Sequence, residues 1–120
     1  MTDSCDVLCA GIVVADHICT PISHLPAAGE LVLADRLLLT IGGCAANVAV
    51  DLVKMGVRAT VAGRIGDDAF GRVVGEMLRG QGIDVSGLHT SPGIDTSQTL
   101  IVNVAGHSRR GETVGARHAN

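Results

Sequence analysis

Residues 42–49 read GGCAANVA, two glycines followed by small residues and one asparagine, Asn47. The stretch lies between an apolar run and a segment rich in helix formers, so it predicts a tight connection into a helix. Its glycines let the backbone come close to a ligand, and N–H groups at the start of a helix face outward. The stretch matches neither the GxGxxG nor the P-loop pattern and contains no lysine. Asn47 therefore has three interpretations: a helix cap, part of a phosphate cradle, or a group that binds ligand hydroxyls.

The composition favours a small α/β domain that binds a small polar ligand. The chain has 120 residues, a formal net charge of −3 and 47% hydrophobic residues, with Phe70 as its only aromatic residue. Readers of single-stranded nucleic acid need aromatic platforms, and binders of nucleic acid or anionic lipid need basic patches. We therefore expect no nucleic-acid partner and no membrane partner.

The N-terminal residues MTDSCD are acidic, and the apolar stretch over residues 7–15 is far shorter than the roughly 20 residues that span a bilayer. We expect a soluble, cytoplasmic protein. The four cysteines show neither CxxC spacing nor a histidine cluster beside them. They predict buried or half-buried thiols and no metal site.

Strands and helices alternate along the predicted chain. Residues 6–15 predict a strand that is buried on both faces, residues 20–30 a loop with two prolines, and residues 31–41 one or two strands. A helix over residues 45–55 ends at Gly56, and a second helix spans residues 66–82, capped by Asp67 or Asp68. Strands are predicted over residues 57–65 and 97–106. This order favours an α/β sheet with parallel neighbours.

In such sheets a ligand lies outside the carboxyl ends of the strands. Asp16 is predicted to follow the first strand there, where a carboxylate can accept hydrogen bonds from two neighbouring hydroxyls of a polyol. A turn or cap aspartate is the equally weighted alternative. His17 is interpreted as a neighbour without a chemical role. Lys54, the only lysine, is predicted on a helix face away from these loops.

A longer pattern resembles a known family. GGCAANVA is followed by six residues and Gly56, then by nine residues and Gly66, and this spacing is similar to the first signature of the PfkB carbohydrate kinases, the ribokinase-like family. GIVVADH looks like the family's first strand and sugar-contacting turn, with Asp16 at the acidic position. GELV, GDDAFG and GID follow in the family's order. The resemblance covers about residues 6 to 106.

The resemblance implies a ribokinase-like three-layer α/β/α fold with a small β-sheet lid, here truncated. It also implies transfer of the γ-phosphoryl group of ATP, with Mg²⁺, to a sugar or nucleoside hydroxyl. Carried over by position, the substrate-binding residues would be Asp16, Gly42, Gly43 and Asn47. The lid would come from parts of residues 20–40 and 87–105. Val14 and Cys44 stand where ribokinase has an asparagine and a lysine, which disfavours ribose as substrate.

The resemblance also implies a catalytic aspartate in a GAGD motif near the ATP site, and the 120 residues contain no GAGD. We therefore expect no catalytic, cofactor-binding or metal-binding residue in this chain, and little or no kinase activity from it alone. Residues 1–106 are interpreted as the sugar-binding and lid portion, and residues 107–120 as an irregular or disordered tail. The chain would then be a fragment or the product of a truncated or frameshifted gene, or an ordinary in-frame lid segment that ends at residue 120.

The alternative function is a non-catalytic sugar-binding or dimerisation module, with a homodimer formed through the lid. A generic nucleotide-binding domain is disfavoured, because no phosphate motif is present.

Overall fold

The computed structural model describes residues 4–106 and the backbone of residues 112–116. Seven strands and two helices lie in this part of the chain. In chain order they are β1 (Val7–Ala10), β2 (Val14–Ile22), β3 (Leu37–Gly42), α1 (Cys44–Lys54), β4 (Ala59–Gly66), α2 (Ala69–Gly80), β5 (Asp84–Ser91), β6 (Gln98–Val104) and β7 (Glu112–Ala116).

The strands form two sheets. β1, β4 and β5 make a parallel three-stranded sheet in the order β1-β4-β5. The other four make a mixed sheet in the order β3-β2-β6-β7, in which β2 and β6 run parallel and both outer pairs run antiparallel. The α/β class predicted from the sequence is confirmed.

The core lies between the two helices and the strands that they cover. It is built mainly from small residues, because β4 and α1 present alanine and valine to each other. Its buried members are Cys9, Val13, Ala15, Ala45, Ala46, Ala49, Ala59, Val61, Ile65, Val74, Leu78 and Ile83. On β1, Cys9 is buried while its neighbour Leu8 is 61% exposed, so the helices cover only one face of this strand.

The helices and their ends follow the sequence prediction closely. α1 stops at Lys54, and Gly56 takes the left-handed conformation, with φ of +84°. α2 begins after Asp68, whose side chain accepts a hydrogen bond from the Gly71 N–H. Of the two aspartates predicted as caps, Asp68 is the one that caps.

The first apolar run does not form the single strand that the sequence predicts. It was predicted as one strand, but the chain breaks at Gly11, whose φ is +152°, and β1 and β2 lie in different sheets. β2 then continues through Pro21 to Ile22, which had been predicted as loop. Its pairing with β6 shifts register between Cys19 and Ile22, the kind of irregularity that accommodates a proline in a strand.

Two further strands were not predicted. β5 reads DVSGLHTS, a half-exposed sequence without strong apolar alternation. β7 pairs antiparallel with β6, so the prediction of an irregular tail is wrong for residues 112–116. Residues 107–111 and 117–120 lie outside the described part. The predicted lid segments include β3 and β6, whereas residues 87–91 belong to β5 in the three-stranded sheet.

The chain passes between the two sheets at three places: residues 11–13, Gly43 and residues 92–97. The first two places touch, because the Ala45 N–H donates to the Ile12 carbonyl at 3.3 Å. The third connection does not take part in this contact and packs instead against the start of α2. No helix in the described residues is long and apolar enough to cross a membrane.

Candidate functional site

Asp16 lies inside a strand and not in the loop where the sequence placed it. It is the third residue of β2, because the chain has already turned between the sheets at residues 11–13. Thr40 of β3 and Thr99 of β6 lie opposite it in the two ladders. The side chain is half-buried and makes no hydrogen bond or ion pair with any described residue. Its carboxylate is therefore open to an external hydrogen-bond donor.

Gly42 lies directly against that carboxylate. A Cβ atom at Gly42 would overlap the Oδ2 atom of Asp16 and would come within 2.7 Å of its Oδ1 atom. Only glycine leaves this space. The structure thus brings Asp16 and Gly42 together, although 26 positions separate them in the chain.

Gly43 is the N-cap of α1 and has φ of +92°. A Cβ atom there would overlap the Ile12 carbonyl oxygen, and L residues rarely adopt this backbone conformation. Gly43 therefore fixes the tight turn from β3 into α1. The backbone after it faces the end of the β1–β2 connection.

Asn47 lies in the first turn of α1, and its exposed side chain does not cap the helix. The N-cap position belongs to Gly43, and no side chain caps it. The Asn47 N–H instead donates to the Gly43 carbonyl at 2.9 Å. The cap interpretation is wrong, and the Asn47 amide has no hydrogen-bond partner among the described residues.

Asn47 lines an open cleft of about 490 Å³ between α1, α2 and β3. Thr40, which pairs with Asp16, lines the same cleft. Lys54 also lines it, at the end of α1 and two turns beyond Asn47 on the same face of the helix. The cleft is lined by Thr40, Ile41, Asn47, Val50, Asp51, Lys54, Met77 and Gln81.

His17 is held by its neighbours. Its Nε2 atom is 2.9 Å from Oε1 of Gln98, and its ring meets Phe70 edge-on at 5.1 Å between ring centres. These contacts tie β2 to β6 and to α2. Thr40 and Thr99, which flank Asp16, were not identified from the sequence, because only the strand register brings them there.

The described residues include no group of three or more His, Cys, Asp or Glu side chains placed to hold a metal ion. The stretch before α1 lacks the lysine of a P-loop. The carboxylate of Asp16 and the amide of Asn47 are groups suited to binding hydroxyls.

Comparison with known proteins gives a consistent result. Residues 5–116 match the model of a family described as pfkB family carbohydrate kinase. The 2-dehydro-3-deoxygluconokinase of Thermoproteus tenax is 41% identical over 56 residues, which are 47% of this chain and 17% of that protein. The fructokinase of Klebsiella pneumoniae is 37% identical over 75 residues, which are 62% of this chain and 24% of that protein.

The fold has solved counterparts. The ribokinase of Cryptococcus neoformans var. grubii serotype A, solved in complex with ADP, superposes with a TM-score of 0.73 at 27% identity. The superposition covers 94% of this chain and 35% of that chain. The chain therefore spans about a third or less of the length of these relatives.

Proposed function

The chain belongs to the pfkB family of carbohydrate kinases, and on that premise we propose that it supplies the sugar-binding side of such a kinase. The reaction is transfer of the γ-phosphoryl group of ATP to a hydroxyl of a carbohydrate or nucleoside. The residues proposed to bind the substrate are Asp16, Gly42, Gly43 and Asn47. Dependence on ATP favours a cytoplasmic location.

The observation that carries this proposal is the state of the Asp16 carboxylate. It is half-buried next to Gly42, and its oxygens are not used by any described residue. A carboxylate can accept hydrogen bonds from two adjacent hydroxyls, and such charge-assisted bonds are stronger than neutral ones. Vicinal hydroxyls are the common feature of sugars and nucleosides.

The other residues complete the recognition of hydroxyls. Gly42 leaves room for the Asp16 carboxylate, Gly43 allows the tight turn into α1, and the Asn47 amide can both donate and accept. Phosphoryl transfer depends mainly on positioning and on charge stabilisation around the phosphates. The role of this chain is positioning of the acceptor hydroxyl. Because the described residues include no group of side chains placed to hold a metal ion, we expect little or no kinase activity from the chain alone.

Isothermal titration of the full chain with D-fructose, 2-dehydro-3-deoxygluconate, D-ribose and adenosine tests the proposal. We expect binding of at least one of them, and we expect Asp16→Asn to weaken it by about 10- to 100-fold, the value of one or two charge-assisted hydrogen bonds. Asp35→Asn is the matched control, because Asp35 is exposed and lies in the irregular segment before β3. Equal affinity of the two variants for the ligand would show that Asp16 does not bind it.

A dimerisation module is the second candidate, and the outer strand β3 favours it. β3 forms one edge of the four-stranded sheet, where it pairs only with β2 in the described part of the chain. Its first residue, Leu37, is 65% exposed, and Leu31 and Leu33 just before it are more than 80% exposed. An open apolar strand edge is a template for pairing with a second copy.

A further inference from the structure

The connection from β5 to β6 is packed against the start of α2 so closely that glycine is required at two positions. A Cβ atom at Gly66, the last residue of β4, would overlap the carbonyl oxygen of Ile94. A Cβ atom at Gly71 would lie 2.8 Å from Oγ1 of Thr96 and would overlap the Gly66 carbonyl oxygen. Thr96 itself is 2% exposed. Residues 94–96 thus occupy a slot between the end of β4 and the first turn of α2.

Asp68 binds this segment with both carboxylate oxygens. Its Oδ1 accepts from the Thr96 hydroxyl at 2.6 Å and from the Gly71 N–H at 2.8 Å. Its Oδ2 accepts from the Thr96 N–H at 2.8 Å. The Thr96 hydroxyl oxygen also accepts from the Gly66 N–H at 3.0 Å. One side chain therefore caps α2 and fixes the connection to the other sheet.

These bonds also set the charge of Asp68. Burial alone would raise the pKa of this carboxyl, but the hydrogen bonds from Thr96 and Gly71 outweigh it and hold the pKa below its ordinary value. Asp68 is consequently ionised at neutral pH and makes its strongest hydrogen bonds there.

The fixed segment leads within a few residues to Asp16. The Ser97 carbonyl accepts from the Ala15 N–H at 2.9 Å, and Thr99 then lies opposite Asp16 in the β2–β6 ladder. A slip of one residue in such a ladder turns every side chain to the other face of the sheet. The position of Thr96 therefore determines which β6 side chains lie beside Asp16.

We infer that Asp68 is a positioning residue of the sugar site: by holding Thr96 it fixes the register and placement of β6 on β2 beside Asp16. The inference rests on the proposed function for its consequence in binding. Its structural step, the placement of β6, can be measured without any ligand.

The test uses Asp68→Asn, Thr96→Val and Thr96→Ser in the full chain, with Asp84→Asn as the matched control. Asp84 is also an aspartate with a lowered pKa, and it accepts hydrogen bonds from the Ser86 N–H, the Ser86 hydroxyl and the Thr60 hydroxyl. The two bonds from Ser86 lie within β5, and the bond from Thr60 joins β5 to β4. Loss of Asp84 therefore removes a comparable set of bonds without touching the connection to β6.

We expect amide hydrogen exchange over residues 98–104 to become about tenfold faster in Asp68→Asn and Thr96→Val, with exchange over α1 unchanged. Whichever of D-fructose, 2-dehydro-3-deoxygluconate, D-ribose and adenosine the wild type binds should bind these two variants about tenfold more weakly. Thr96→Ser, which keeps the hydroxyl, should behave as the wild type, and Asp84→Asn should lose stability only.

Unchanged exchange over residues 98–104 in both Asp68→Asn and Thr96→Val would overturn the inference. Faster exchange with unchanged affinity would also overturn it, because β6 would then move without affecting the site. If the wild type binds none of the four compounds, the proposed function fails, whereas the exchange measurement still decides whether Asp68 places β6. If Asp68→Asn does not fold, the Thr96→Val and Thr96→Ser pair carries the same comparison.

Discussion

The space beside the Asp16 carboxylate is so small that one added carbon atom at Gly42 should destabilise the fold. We expect Gly42→Ala to lower the free energy of unfolding by about 1–3 kcal/mol, because the new Cβ atom must displace the carboxylate or the backbone of β3. Sugar affinity should fall with it. Urea denaturation and titration calorimetry measure the two effects.

Gly80→Ala is the control for that substitution. Gly80 ends α2, and a Cβ atom there would meet nothing within 4 Å. Since alanine is the better helix former by up to about 1 kcal/mol, this variant should be as stable as the wild type or more stable. Gly42→Ala with unchanged stability and affinity would show that the Asp16 carboxylate has room to move.

Acid should destabilise the fold through Asp68 and Asp84. The pKa of Asp84 is lowered chiefly by the Ser86 N–H and then by the Thr60 hydroxyl, and that of Asp68 is lowered by hydrogen bonds that outweigh burial. A pKa that is lower in the folded state contributes stability above the unfolded-state value, and that stability is lost as the pH falls through the folded-state value. Here the window lies around and below pH 3.8, the ordinary value for aspartate.

We therefore expect the free energy of unfolding, measured in urea, to fall as the pH is lowered from 5 to 3. Asp68→Asn and Asp84→Asn should each reduce this dependence on pH, because each removes one linked carboxyl. A pH dependence as steep in both variants as in the wild type would assign the acid effect to other carboxyls, such as Asp6, whose pKa the Arg58 side chain lowers.

At the level of elements, the position of Asn47 in α1 allows a structural role of this residue to be distinguished from a role in ligand binding. Because Gly43 is the cap and the Asn47 amide is exposed, Asn47→Ala removes no described hydrogen bond of the fold. Alanine is the better helix former, so the free energy of unfolding should stay constant or rise by up to about 0.7 kcal/mol. Sugar affinity should fall. A fall in stability at constant affinity would instead identify a structural role for Asn47.

The elements also show which features a sequence can specify. α1 and α2 were predicted well because Gly56 and Asp68 mark their ends by local backbone chemistry. β5 was missed because its half-exposed residues, such as His89, carry no apolar alternation. Asp16 was placed in a loop because the apolar run across Gly11 reads as one strand, and the break appears only once β1 and β2 find different partners.

The same distinction holds for the candidate site. Asp16, Gly42, Gly43 and Asn47 were singled out from local composition and family resemblance, and the structure brings Asp16 and Gly42 into contact. Thr40, Thr99 and Thr96 could not have been identified in this way. Thr40 and Thr99 lie beside Asp16 through strand pairing, and Thr96 lies beside Asp68 through the packing of the β5–β6 connection against α2.

At the scale of the whole molecule, the open edge of the four-stranded sheet should govern self-association. We expect the chain to form dimers or larger species at concentrations of about 10–100 μM, because a weak contact between two copies has a Kd in this range. Leu37→Lys should shift it towards monomer, because a charge on an edge strand opposes pairing with a second copy. Sedimentation velocity distinguishes the species.

Leu31→Lys provides the comparison, since Leu31 is 83% exposed but lies before β3 in the irregular segment. It should leave the association unchanged if pairing of strand edges is the cause. An equal shift towards monomer in both variants would indicate nonspecific hydrophobic association. A wild-type chain that is monomeric throughout would exclude the dimerisation candidate.

The four-stranded sheet is held to the helices by contacts that share one end of the sheet. They are the bond from Ala45 of α1 to Ile12, the bonds of Asp68 to Thr96, and the edge-on contact of His17 with Phe70. All three fall within residues 12–17 or at Thr96, so Asp16 stands at the anchored end of β2 and Ile22 at the other end. Motion of the sheet relative to the helices should therefore be smaller at Asp16 than at Ile22. A ligand on the carboxylate would keep its place while the far end of the sheet moves.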